Sequence, residues 1–119
     1  MSLSLKKIYD TLTDLKLFDI IIYDFKGKSP FYDYQIIASA SNERQAHSSI
    51  EYIKRVLSED DYYHVENDTN SRWVLIDLKD IIIHVMHKET RENYQIEKLF
   101  YDRKKLDLKD LNNGIWLSS

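Results

Sequence analysis

The sequence predicts an α/β (α+β) fold: a small mixed β-sheet flanked by helices, in the order helix, strand, strand, helix, strand, strand, helix. Three observations predict it. Apolar residues recur at helical spacing near the start and again in the middle of the chain. Two short segments, "DIIIYDF" and "DIIIHVM", are apolar on both faces and so need cover on both sides of a sheet. A helix of about four turns separates the second and third strands, a connection that usually joins parallel strands in a right-handed crossover.

Leu5, Ile8, Leu12 and Leu15 place an amphipathic helix over residues 3 to about 17. The first strand is residues 19–25. "KGKSPF" follows as a loop, broken by Gly27 and Pro30. Residues 32–41 give the second strand, centred on Gln35 to Ser39. Ser41 or Asn42 caps the next helix, and Asn42 with Gln45 has the spacing of a capping box. Ala46, Ile50, Ile53 and Leu57 form its buried stripe, to about residue 58. The polar run that follows reads as a loop with at most a short strand around Tyr63 to Val65. Trp73–Asp77 and Asp80–Met86 are the last two strands, joined by Leu78-Lys79, and a helix runs from about Lys88 to Lys104. The short strand connections predict antiparallel pairs. Residues 1–104 make a single domain, with 105–119 a tail that docks weakly through Ile115 and Trp116.

At 119 residues the chain suits one domain able to bury its own core. It has no cysteine, which removes disulfides and Cys-based zinc sites and suits a reducing compartment. No apolar run approaches the roughly 18 residues of a membrane helix, and the N-terminus has no secretory pattern. With 17 Lys plus Arg against 20 Asp plus Glu, the net charge is −3. A protein that works by neutralising phosphates is usually basic, so little direct nucleic-acid binding is expected, whereas a basic protein partner fits.

Catalytic motifs fail one by one. Gly27-Lys28-Ser29 ends like a phosphate-binding loop, but the motif needs a glycine where Ile22 stands. Asp19 and Asp24 bracket one strand about 16 Å apart, too far to share a metal ion. His84 and His87 point to opposite faces of a strand, and His84 reads as a satisfied, half-buried histidine. His47 and His64 have no obvious partners. No nucleophile elbow is present. Arg91–Gln95 and Glu89–Asn93 read as ordinary helix-surface pairs. No catalytic residue, cofactor or metal is assigned, and a nucleotidyltransferase-like enzyme stands as the remote alternative to a binding protein.

The ordered set of motifs resembles the ribosomal silencing factor family, also called Iojap-like. Asp19-Ile20 opens the first strand as in that family. Ser29, Asp33 and Tyr34 match its Ser-spacer-Asp-Tyr, and Ser41, Arg44 and Gln45 its helix start. Trp73 to Asp77 and Asp80 to His84 match its hairpin, and Arg91, Tyr94, Ile96 and Glu97 its last helix. The resemblance covers roughly residues 5 to 102. Departures fall where the family has glycine, at Ala40, Asn67 and Lys79, and at Phe100, where it often has Trp; the chain has only two glycines.

The resemblance implies a nucleotidyltransferase-like core without its chemistry. It implies a cytoplasmic, often homodimeric protein that binds protein fourteen on the joining face of the large ribosomal subunit. There it would sterically block the small subunit and repress translation under nutrient limitation; relatives act in large-subunit assembly. The expected contact is Trp73 with the hairpin tip Asp77, Leu78, Lys79 and Asp80. Tryptophan carries binding energy often, and an apolar tip between acids can meet a basic partner. Leu78 would be hard to bury in the domain's own core, and Leu-Lys suits a two-residue turn poorly, which predicts a wider loop. The alternative for Trp73 is a core position beneath the helix at 42–58.

Overall fold

A computed structural model describes residues 3–68, 70–112 and 116–117. β1 (Leu3–Ser4) leads into α1 (Leu5–Asp14), which Ser4 caps by accepting the Lys7 N–H. α1 ends three residues earlier than its apolar spacing predicts. Lys16 takes φ 64°, and the Lys16 and Leu17 N–H groups donate back to Thr13 and Leu12. This is a Schellman-type stop built with lysine where glycine is usual.

β2 (Phe18–Asp24) and β3 (Tyr34–Ala40) pair antiparallel, with an irregularity between Phe18 and Ile21 where Asp19 has φ 50°. α2 (Glu43–Val56) starts at Asn42, whose side chain accepts the Gln45 N–H at 2.8 Å. Gln45 in turn accepts from the Ser41 N–H and donates to the Leu15 carbonyl, so the predicted capping pair also ties α2 to the end of α1.

β4 (His64–Asn67), β5 (Trp73–Asp77) and β6 (Ile81–His87) follow as an antiparallel meander. The six strands lie in the order β4-β5-β6-β3-β2-β7, and β3–β6 is the parallel pair. The expectation that residues 32–41 run parallel to residues 73–77 is therefore corrected. β4 takes up the return from α2 and reverses the chain once more, so β5 runs opposite to β3 while β6 runs with it.

The helix expected over 88–104 is likewise broken. α3 (Lys88–Tyr94) stops at Gln95, φ 50°, and a 3-10 turn spans Ile96–Phe100. β7 (Lys104–Leu106) then adds to the free edge of β2. α4 (Leu108–Asn112) places Leu111, 2% exposed, in the main core. β8 (Trp116–Leu117) pairs with β1. Lys105 and Leu106 of the expected tail thus belong to the sheet, and Leu111 to the core. The expected docking of Ile115 lies outside the described residues.

The core has two sides. Against α1 and α2 lie Ile22, Ile36, Ala38, Val74, Ile76, Ile83 and Val85, all buried with Leu5, Ile8, Leu12, Ala46 and Ile53. The opposite sheet face buries Tyr23, Ile37 and Met86 beneath Ile96 and the half-buried Phe100. α3 and the 3-10 turn cover only part of that second face. Toward β4 and β5 it stays open, which positions the site.

Candidate protein-docking face

Strand alternation puts Trp73 and Leu75 of β5 on the open face, beside Met86 and His84 of β6. Register continues the face to Glu66 on β4 and to Gln35 on β3, which pairs with Ile82. Trp73 is half-buried and packs on the Tyr23, Ile37 and Met86 cluster. Its ring lies 5.2 Å from that of Tyr94, which is 65% exposed. Trp73, Leu75 and Tyr94, with Glu66, Asn67 and Asp68, line a shallow cavity of about 490 Å³. Acidic groups thus rim an aromatic centre.

A hydrogen-bond chain crosses three strands beneath this surface. The Trp73 indole N–H donates to His84 Nδ1 at 3.2 Å, and His84 Nε2 lies 2.8 Å from Gln35 Oε1. An indole nitrogen only donates, so Nδ1 accepts and the ring proton sits on Nε2, facing Gln35. His84 is buried, 8% exposed, deeper than the half-buried position its sequence suggests. Burial drives its pKa down to about 4, so it is neutral at physiological pH.

α3 is fixed over the sheet by Arg91. Its guanidinium donates to Glu97, to the Asp19 carbonyl and to Ser39 Oγ at 2.9 Å. Arg91 is 8% exposed, so the expected surface pairing with Gln95 is corrected: helical spacing placed Gln95 nearby, but the left-handed break turns the chain so that Glu97 reaches Arg91 instead. The clamp sits in a cavity of about 650 Å³ at the carboxyl ends of β3 and β6, where parallel sheets commonly bind ligands. Here the arginine is already occupied by the protein's own groups. Asp19 and Asp24 stand at opposite ends of β2, and no cluster of three metal-ligating side chains occurs among the described residues.

The hairpin tip differs from its expectation. Leu78 is 8% exposed and belongs to the core on the α1–α2 side. The connection is wider than two residues: the Leu78 N–H bonds the Ile81 carbonyl, and the Asp80 N–H bonds the Leu78 carbonyl at 3.0 Å. Lys79 at φ 75° is the centre of this γ-turn, and its N–H is held by Asp77 Oδ1 at 2.8 Å. The tight turn rolls Leu78 inward over the sheet's end. Leu78 and Trp73 therefore lie on opposite faces and do not form one patch. Asp80 anchors the tip, its carbonyl accepting the Asp33 N–H at 2.7 Å and the Tyr34 N–H at 3.2 Å. Burial, then the neighbouring Asp33, raises the Asp80 carboxyl above its ordinary pKa. Trp73 is not beneath α2 either, since it faces away from that helix. His47, expected to lack partners, has Ser71 Oγ 3.3 Å and Asn67 Nδ2 3.4 Å from its Nδ1.

The family described as "Ribosomal silencing factor during starvation" matches residues 2–115. The chain belongs to the ribosomal silencing factor family. A ribosomal silencing factor of Bacillus subtilis is 34% identical over 97 residues, covering 80% of this chain and 82% of the relative. That of Halalkalibacterium halodurans is 32% identical, covering 83% and 86%. A mouse protein named mitochondrial assembly of ribosomal large subunit protein 1 is 29% identical, over 69% of this chain and 38% of its own length. A crystal structure from Bacillus halodurans superposes with a TM-score of 0.74 at 30% identity, covering 87% of this chain and 96% of that one.

In this silencing-factor chain, sequence reasoning singled out Trp73 but not its neighbours on the open face, Leu75 and Tyr94, or the support from His84. The signals were present. Leu75 alternates with buried Val74 and Ile76, and Tyr94 belongs to the Arg-x-x-Tyr motif. Neither says which face stays uncovered.

Proposed function

We propose that the protein docks the open sheet face on protein fourteen at the joining surface of the large ribosomal subunit. From there it keeps the small subunit away by occupancy, without catalysis, and so represses translation in the cytoplasm when nutrients are scarce. The observation that carries this reading is the Trp73–Leu75–Tyr94 surface, half-exposed, preorganised by His84 and rimmed by Glu66 and Asp68. Aromatic anchors at the centre with charges at the rim are what a protein interface needs, and the acidic rim suits a basic ribosomal protein. Of the hairpin tip, Asp77 shares the strand face of Trp73 and Leu75, while Leu78 supports the tip from the core.

A second reading, a large-subunit assembly factor using the same surface, is favoured by the name of the mouse relative. Co-sedimentation with purified subunits tests the shared part: the protein is expected with large subunits and not small ones. Equal sedimentation with both sinks it. A subunit-joining assay then separates the readings, since silencing requires fewer joined ribosomes at saturating protein and assembly does not.

A further inference from the structure

The net charge of −3 conceals a local reversal. Residues 25–32 and 98–105 carry Lys26, Lys28, Lys98, Arg103, Lys104 and Lys105 against Asp102, with Asp24 and Asp33 flanking the first segment. The fold brings the two segments together. Asp24 and Lys104 are opposite one another in the β2–β7 backbone register. The Phe25 ring lies 5.2 Å from both Tyr32 and Phe100, and the Arg103 guanidinium sits 5.7 Å from its centroid. Asp102 is neutralised in place, because Arg103 Nη2 donates to it at 2.7 Å. Next to this aromatic cluster, Phe31 and Tyr101 are 81% and 86% exposed among the described residues.

We propose that this corner, at the end of β2 and β7 away from Trp73, is a contact for single-stranded or looped RNA. Exposed lysines supply the attraction for phosphates, and exposed aromatic rings supply stacking surfaces for unpaired bases. An acidic peptide would satisfy the lysines but leave the rings unused. The inference rests on the proposed ribosomal docking only for where the RNA comes from: a factor seated on a large-subunit protein has ribosomal RNA beside it.

The test is fluorescence anisotropy of the full chain with a labelled single-stranded RNA of about 10 nucleotides, across a salt series. Lys26→Glu with Lys28→Glu is expected to weaken binding at least tenfold. The milder Lys26→Gln, Lys28→Gln pair, melting like the parent, is expected to reduce the slope of log affinity against log salt by about 1.4, near 0.7 per cation. Phe31→Ala with Tyr101→Ala is expected to weaken binding with the slope unchanged. No RNA binding at about 50 mM salt, or binding indifferent to the lysine pair, overturns the proposal. So does equal affinity for anionic vesicles or duplex DNA together with inert Phe31 and Tyr101. Binding to isolated protein fourteen keeps the two readings apart: the lysine variants are expected to leave it intact, whereas Trp73→Ala is expected to weaken it at least tenfold without touching RNA affinity.

Discussion

The indole N–H of Trp73 donates to Nδ1 of His84 across neighbouring strands, at 3.2 Å. This bond fixes a large aromatic ring at a half-open position, so the surface is ordered before any partner arrives. Preorganisation of this kind lowers the entropy lost on binding.

Trp73→Ala is expected to weaken large-subunit binding at least tenfold, about 1.4 kcal/mol. Its cost to stability is expected to fall below the roughly 3–5 kcal/mol of a fully buried aromatic truncation, because the ring is only half-buried. Trp73→Phe keeps the ring and loses the donor, so it should lie between. Co-sedimentation read beside thermal melts checks both numbers; unchanged binding by a folded Trp73→Ala removes the residue from the interface.

His84 makes stability depend on pH. Its folded pKa, about 4, lies below its ordinary 6.5, so protonation favours the unfolded chain. Stability from this group is whole above pH 6.5 and is lost as the pH falls toward 4. The expected loss is on the order of 1 kcal/mol at pH 5.5 and about 3 kcal/mol at pH 4. Urea denaturation at these pH values measures it. His84→Gln, with no proton to gain, should flatten the slope over that window.

The tip separates packing from contact. Leu78→Ala is expected to cost about 2–4 kcal/mol in stability while the folded fraction binds large subunits as before. Lys79→Gly relieves a left-handed residue worth about 1–2 kcal/mol and adds about 0.5–1 kcal/mol of unfolded-chain freedom. A net gain of about 0.5 kcal/mol in chemical denaturation is therefore expected, and a loss would contradict the strain argument.

Arg91 holds α3 on the sheet with side chains of Arg91 and Glu97 10% and 27% exposed. Arg91→Ala strands Glu97, Ser39 and the Asp19 carbonyl, at an expected cost of about 3–5 kcal/mol. Arg91→Lys should recover little, since an ammonium cannot make the forked set of bonds. Because Tyr94 rides on the same helix, both variants should also weaken large-subunit binding at temperatures where the fold persists. Hydrogen exchange of α3 amides would register the loosening directly.

Local signals in the sequence determined much of this protein. Periodicity located α1 and α2, two-faced apolar runs located β2 and β6, and the Asn42–Gln45 cap is where its spacing put it. An ordered set of motifs gave the family. What it could not disclose shares a physical cause. In a glycine-poor chain, left-handed turns fall on Lys16, Asp19, Ser71, Lys79 and Gln95, residues that do not announce a break. So α1 read too long, the last helix read as continuous, and the tip of the β5–β6 hairpin read as exposed. Edge strands β4 and β7 are short and polar because they gain their stability from pairing with a neighbour, not from a buried face of their own. Only the tertiary structure decided that Leu78 turns inward while Trp73 stays half-open. It alone brought Lys26 and Lys28 beside Arg103 and Lys104 at one corner of an acidic protein. Burial and charge fields depend on which segments meet in space, and that is settled by packing among residues far apart in the chain.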